Sequence, residues 1–168
     1  MRNDSGVDGC MRGSRAYRVV VRDPKARYPD TMDYFDDIEA GPEFEIGRHT
    51  PSKEEIVAFA RQWDPQPFHL DEEAGRNSVM GGLCASSCHT SSISSLIYSK
   101  CDHKLQTLAM LGMQVKFPAP VRPDEELTLF ETYLEKRVSK SRPGAGVVTS
   151  RSCLRNPRGE NAMVMESN

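Results

Sequence analysis

Residues 81–99 read GGLCASSCHTSSISSLIYS, a run made mostly of serine and other small residues. Ile93, Leu96 and Ile97 within it recur at helical spacing. Serine is only a middling helix former, so a helix of this composition needs tertiary support from elements closely wrapped around it. The segment therefore reads as the buried axis of a domain.

What can wrap it lies downstream, where the period changes. Leu108 to Phe117, Glu126 to Lys136, Gly146 to Leu154 and Glu160 to Met165 are β-leaning runs, separated by the turn signals PAPVRPDE, SKSRPGAG and RNPRGE. Upstream, Phe44 to Thr50 alternates loosely and ends at a Thr-Pro break, a short strand. Ser52 followed three residues later by Glu55 is a capping box, and Ile56, Phe59, Ala60 and Trp63 share one helical face. That helix runs from about Ser52 to Trp63 and stops there, because Pro65 and Pro67 drive the residues before them out of helical conformation. An acidic helical turn follows around Asp71 to Ala74. The sum is an α+β plan, an antiparallel sheet packed on a long helix.

Composition sets outer limits. With 168 residues, 38% hydrophobic and 27% charged, the chain has the make-up of one globular domain. No apolar run of membrane-spanning length and no secretory-type N-terminal stretch is present, so the expectation is a cytoplasmic protein without a membrane partner. Five irregularly spaced cysteines fit free thiols better than a disulfide scaffold. Residues 1–31 carry seven Arg/Lys against four Asp and little periodicity beyond a Tyr17 to Val21 run, and read as a mostly disordered extension; residues 32–168 form the domain. The remainder holds fifteen basic against twenty acidic side chains, which argues against nucleic acid as a partner.

The stretch RQWDPQPFHL, residues 61–70, places Asp64 and His69 five positions apart with two prolines between them. Each proline fixes a φ angle, so the relative placement of carboxylate and imidazole is largely set before any ligand arrives. A carboxylate and an imidazole reaching one water can take its proton and deliver another, as addition of water across a conjugated double bond requires. The competing reading is a turn-capping Asp64 and a surface His69 on a proline-rich loop.

FARQWDPQPFHLDEEA followed by GGLCASSCHTSS resembles the hydratase motif of the MaoC-like dehydratases, the (R)-specific enoyl-CoA hydratase family of hotdog-fold proteins. YFDDIEAGPEFEIG, VKFPAPVRPDEELTL, EKRVSKSRPGAGVV and NPRGENAMVM resemble the same family in the same order, so that the likeness covers about Asp33 to Glu166. It implies a hotdog fold, a curved antiparallel sheet wrapped around one long central helix. It also implies catalysis by Asp64 and His69 on a trans-2-enoyl-CoA or 3-hydroxyacyl-CoA thioester. A backbone N–H near the start of the central helix would receive the enolate charge, which places Gly82, Ser86 and Ser87 at the oxyanion and substrate site. Ser95 aligns with a serine that supports the catalytic Asp in some relatives. No redox cofactor or metal is implied, coenzyme A entering as part of the substrate, and a homodimer or larger homo-oligomer is expected. Relatives usually carry glycine where Ser87 stands, and generally continue beyond the position of Asn168, so the last strand is expected to be short.

Other residues admit two readings each. Cys84, Cys88, His89, Cys101 and His103 can be read as a zinc site, Cys84 or Cys88 as a nucleophile, or all as packing in a small-residue helix; the absence of any CxxC pair favours packing. His49 reads as an exposed strand end and Trp63 as core or pocket wall. Lys136, Arg137, Lys140 and Arg142, with Arg122 in the VRPDE turn, read either as solvated hairpin charges or as anchors for coenzyme A phosphates. The alternatives to a hydratase are a thioesterase on the same fold and a non-catalytic acyl-CoA-binding or dimerisation module.

Overall fold

A computed structural model describes residues 18–21, 32–102, 104–105, 107–142 and 144–168. Its elements, in chain order, are β1 (Arg18–Val21), β2 (Met32–Asp33), β3 (Glu43–His49), α1 (Lys53–Trp63), α2 (Pro67–Leu70), α3 (Glu72–Arg76), α4 (Ser87–Lys100), β4 (Lys104–Leu105), β5 (Thr107–Met110), β6 (Met113–Lys116), β7 (Leu127–Val138), β8 (Ala145–Arg155) and β9 (Asn161–Ser167).

The spine of the sheet is the antiparallel hairpin β7–β8, paired from Thr128 opposite Arg155 to Val138 opposite Gly146. Strand β3 adds to the free side of β7. On its other side β8 is shared: its first residues pair with β1 and its later ones with β9, while β5 lies outside β1 and β6 outside β9. Along β7 the burial alternates strictly from Leu127 to Tyr133, the period of a strand with one face on a core. That face meets α4: Leu127, Leu129, Leu154 and Met163 from the sheet pack with Ile93 and Ile97 from the helix and Ile56 from α1. The sheet-around-a-helix plan is therefore the α+β hotdog arrangement.

Several sequence-based expectations need correction. The single strand expected over Leu108 to Phe117 is two, because Leu111 and Gly112 turn aside to exchange backbone hydrogen bonds with Asn168. The same bonds stitch in the chain's last residue, and β9 is seven residues long rather than short. Within the segment expected to be disordered, Arg18–Val21 forms a strand, the β-branched run finding an open backbone edge along Ala145–Val148. The rest of residues 1–31 lies outside the described residues.

Helix α4 is a half-buried axis rather than a fully enclosed one. His89, Thr90, Ile93, Ser94 and Ile97 face the core, while Ser87, Cys88, Ser92, Ser95 and Ser99 are exposed. Apart from Ser94, the serines lie toward the face that the described residues leave open, which explains why a helix so poor in large side chains is tolerated.

Helix α1 begins where the capping pattern placed it. Ser52 Oγ accepts from the Glu55 N–H at 3.1 Å. The Glu55 side chain does not complete the box; it is held instead by His49 and His89. Since only the serine caps, Ser52→Ala is expected to cost about 1 kcal/mol of stability, measured as a fall in the urea midpoint without change of slope.

Candidate active site

Asp64 is the C-cap of α1, its N–H donating to the Ala60 carbonyl at 2.9 Å with φ −156° and ψ 73°. Pro65 and Gln66 then carry the chain out, and Pro67 opens α2 at a position where a missing N–H costs nothing. The second proline thus starts a helical turn, and that turn carries His69. Asp71 caps the next short helix, accepting from the Ala74 N–H at 2.9 Å. The segment is a hinge-free corner of three caps and two prolines.

Its effect is to aim His69 inward. The imidazole is 6% exposed, and Nδ1 donates to the Cys84 carbonyl at 2.7 Å. A carbonyl only accepts, so in the neutral ring Nδ1 carries the hydrogen and Nε2 is left with a lone pair. Nε2 lies 3.9 Å from Asp64 Oδ2, and the Asp64 side chain keeps 30% of its surface open. That gap is too wide for a direct hydrogen bond, and a water placed beside it can reach both atoms. Such an arrangement can share one water between carboxylate and imidazole, with the Asp64 side chain partly open to solvent.

Cys84 stands three residues before α4. Ser86 is the N-cap of that helix, 1% exposed, accepting from the His89 N–H at 3.1 Å through Oγ and from Thr90 through its carbonyl. The amides of Ser87 and Cys88 open the helix and have no carbonyl one turn back to donate to; they carry the positive end of the helix dipole. Ser87, the first residue of the helix, is exposed.

Further candidates are placed apart from this pair. Arg122 donates Nη1 to the Gly82 carbonyl at 2.7 Å and to the Leu83 carbonyl at 3.1 Å, and Nη2 to the Met80 carbonyl. These bonds tie its guanidinium to the loop that holds Gly82. Ser95 lies about 12 Å beyond Ser87 along the helix at ~1.5 Å per residue; it is exposed and shares no hydrogen bond with Asp64. Lys136 donates to the carbonyls of Phe35 and Asp36 and sits over the Phe35 ring, while Lys140 and Arg142 are exposed at the β7–β8 turn. Strand β7 spans about 37 Å at ~3.4 Å per residue, and its Leu127 end is the one beside the Arg122 loop. Among the described residues, no hydrogen bond or ion pair joins Lys136, Lys140 or Arg142 to Asp64 or His69.

Among the described residues, the cysteines are dispersed rather than gathered in one cluster. The helix starts at Ser87, so Cys84 is not on it and shares no face with Cys88: one is buried, the other exposed. Cys101 is half-buried beyond the far end of the helix, and His103 lies outside the described residues. Burial pushes the Cys84 thiol up, with Arg122 pulling weakly the other way, the reverse of what a nucleophile needs.

Sequence reasoning missed one cluster. Glu55 accepts from His49 Nε2 at 3.0 Å and from His89 Nε2 at 3.3 Å, and the His89 ring stacks on Phe59 with centroids 4.4 Å apart. His49 is thus partnered rather than a loose strand end. Alongside lies a groove of about 420 Å³ whose wall includes Trp63, which is 65% exposed and so no part of the core. Burial moves the His89 imidazole below its ordinary 6.5, against a smaller upward pull from Glu55. The unfolded chain then takes up this proton at higher pH than the folded one, so the associated stability is complete above 6.5 and is lost as pH falls below it. His89→Phe keeps a ring against Phe59 and removes the titration. Urea midpoints taken from about pH 8 down to about pH 5 should decline less steeply in the variant than in the parent.

Comparison with known proteins places this corner and sheet in a family. The profile described as MaoC like domain matches residues 22–152. The crystal structure of the MaoC-like dehydratase from Rhodospirillum rubrum is 40% identical in sequence and superposes with a TM-score of 0.74, covering 79% of this chain and 91% of that one. The unliganded R-hydratase PhaJ1 from Pseudomonas aeruginosa, 20% identical with a TM-score of 0.61 over 79% of this chain and 81% of its own, shares the fold. Uncharacterized protein YdeM of Bacillus subtilis (strain 168) is 30% identical over 113 residues, 65% of this chain and 79% of that protein. A profile spanning most of the sequence, and a fold shared along nearly the whole of the Rhodospirillum structure, lead to one conclusion: the chain belongs to the MaoC-like domain family.

Proposed function

We propose that this protein is a hydratase/dehydratase that reversibly adds water to a trans-2-enoyl-CoA thioester, giving the 3-hydroxyacyl-CoA, with Asp64 and His69 as its acid–base pair. The observation that carries the reading is the pairing of His69 Nε2 with Asp64 Oδ2 across 3.9 Å while Nδ1 is committed to the Cys84 carbonyl. One water held by both atoms loses a proton to the pair as its oxygen bonds to C3. The C2=C3 electron pair shifts toward C2 and the thioester oxygen, and the pair returns a proton to C2, so that H and OH are added in balance. The enolate-like oxygen is received by the free amides at the start of α4, a contribution on the order of 3 kcal/mol for such a donor. None of these steps draws on a metal or redox cofactor, and among the described residues no cluster of three or more His, Cys, Asp or Glu side chains suited to a metal occurs.

The same reading includes assembly as a homodimer or larger. Leu108, Met110, Leu111, Met113 and Phe117, along the β5–β6 edge, are between 40% and 62% exposed, an apolar row that a lone chain leaves in water. Sedimentation of the purified protein tests that part. Among the described residues no helix is long and apolar enough to cross a membrane.

The chemistry is tested by following crotonyl-CoA with two readouts, enoyl absorbance and free thiol. Loss of absorbance without thiol supports the hydratase. Thiol released with the conjugated signal intact replaces it with a thioesterase, in which water attacks the carbonyl; neither signal, with acyl-CoA still bound, leaves a binding module.

A further inference from the structure

The polypeptide between Met80 and Ala85 makes no regular element, yet it supplies the carbonyl that fixes the His69 ring. What holds it still is concentrated in one side chain. Three carbonyls of this loop, those of Met80, Gly82 and Leu83, point to the Arg122 guanidinium. Converging carbonyls repel one another and need a donor with several N–H groups in fixed directions. A planar guanidinium offers five; an ammonium is a single point that cannot span them.

The base of Arg122 is itself fixed. Val121 is 1% exposed in the core, and its carbonyl accepts from the Ala85 N–H at 2.9 Å, while the Asp124 N–H two residues on donates to the Pro51 carbonyl at 2.9 Å, just before α1. Gly82 gives the guanidinium room: a β-carbon there would stand 3.0 Å from Arg122 Nη1. Between the Arg122-held carbonyls and the Ala85–Val121 bond lies a single carbonyl turned the other way, that of Cys84, and it takes the His69 hydrogen.

We infer that Arg122 is a positioning residue: by pinning the carbonyls of Met80, Gly82 and Leu83 it orients the Cys84 carbonyl, and so keeps His69 protonated on Nδ1 with Nε2 facing Asp64. The consequence for catalysis rests on the Asp64–His69 reading above; the orientation of His69 does not. Without the clamp the Cys84 peptide turns, the ring loses its Nδ1 acceptor, and a share of molecules adopts the Nε2–H tautomer, which has no lone pair to offer a water beside Asp64.

The test separates this role from the phosphate-anchor role. Arg122→Lys, Arg122→Gln and Gly82→Ala, the last displacing the guanidinium while keeping it, are compared with the parent on crotonyl-CoA and on crotonyl-N-acetylcysteamine, a thioester with no phosphate. Expected is a fall in kcat of about tenfold or more, of the same size on both substrates, with KM changed less than about twofold. Long-range ¹H–¹⁵N spectra should show His69 as the Nδ1–H tautomer in the parent and as a mixture in each variant that folds. A rise in KM confined to the coenzyme A substrate overturns the inference in favour of an anchor. A parent His69 already in the Nε2–H form, or variants keeping both tautomer and kcat of the parent, overturns it outright. If the parent shows no hydration at all, the function proposed above fails while the tautomer measurement still decides the role of Arg122.

Discussion

Asp64→Asn is expected to lower kcat for the proposed crotonyl-CoA hydration by about 10²- to 10⁴-fold and to leave the fold intact. The substitution keeps shape and hydrogen-bonding reach but removes the group that can take or hold a proton beside His69 Nε2. Asp64 carries little of the structure: its backbone N–H makes the cap of α1, which asparagine retains, and its side chain is 30% open to solvent. His69→Gln should lose activity on the same scale. With both groups acting through one water, as proposed, the double variant should lose scarcely more than the worse single one, because removing either removes the function of the other. Enoyl absorbance with parent, singles and double under equal enzyme concentrations gives the comparison. Additive losses would place the two side chains in separate steps, and an unchanged kcat in either single variant would take that residue out of the chemistry.

The parts legible in the sequence were those that depend on neighbours close along the chain. Ser52 capping α1, the stop at Asp64 and the helical spacing of Ile93 and Ile97 are local effects, and all appear where spacing put them. Local pattern failed where a distant segment decides. Trp63 continues the apolar stripe of α1 but borders an open groove rather than packed side chains, so it ends 65% exposed. The Leu108 to Phe117 run has strand character throughout, and only the need to pair first with β1 and then with β9 breaks it at Leu111 and Gly112. Glu55 has the spacing of a capping-box partner, but His49 and His89 approach from other elements and win its carboxylate.

The site shows the same division. Two prolines announced that Asp64 and His69 are fixed relative to each other, and no pattern of residue types announced the acceptor that orients the imidazole, since it is a backbone carbonyl. Arg122 did give a signal, an arginine in the VRPDE turn. That signal was ambiguous because a guanidinium serves a phosphate and a cluster of carbonyls equally well. Ser87, where the resemblance leads one to expect glycine, is exposed at the first turn of α4, a placement that residue type alone does not announce.

Gly75→Ala is expected to destabilise the protein by about 1–3 kcal/mol or more, although intrinsic preference alone favours alanine in a helix by about 1 kcal/mol. The two effects have opposite signs, and contact distance decides between them. A β-carbon on Gly75 would meet Leu83 N at 2.5 Å, the Gly82 carbonyl carbon at 2.6 Å and its oxygen at 2.8 Å, all backbone atoms with no flexible end to swing aside. Either α3 retreats or the Gly82–Leu83 peptide does, and Arg122 holds that peptide from the other side. Gly75 is thus what lets α3, and with it the turn carrying His69, lie against the loop ending in the Cys84 carbonyl. Stability and activity should therefore fall together. The urea midpoint drops, and kcat measured at a temperature where the variant is fully folded also drops, through loosening of the 2.7 Å bond between His69 Nδ1 and Cys84. A control at Gly159, where the turn has φ +78° but a β-carbon meets nothing within 4 Å, should lose stability by backbone strain while keeping kcat. A Gly75→Ala protein as stable as the parent would mean that the close approach of α3 to the Gly82 peptide is not what builds this corner.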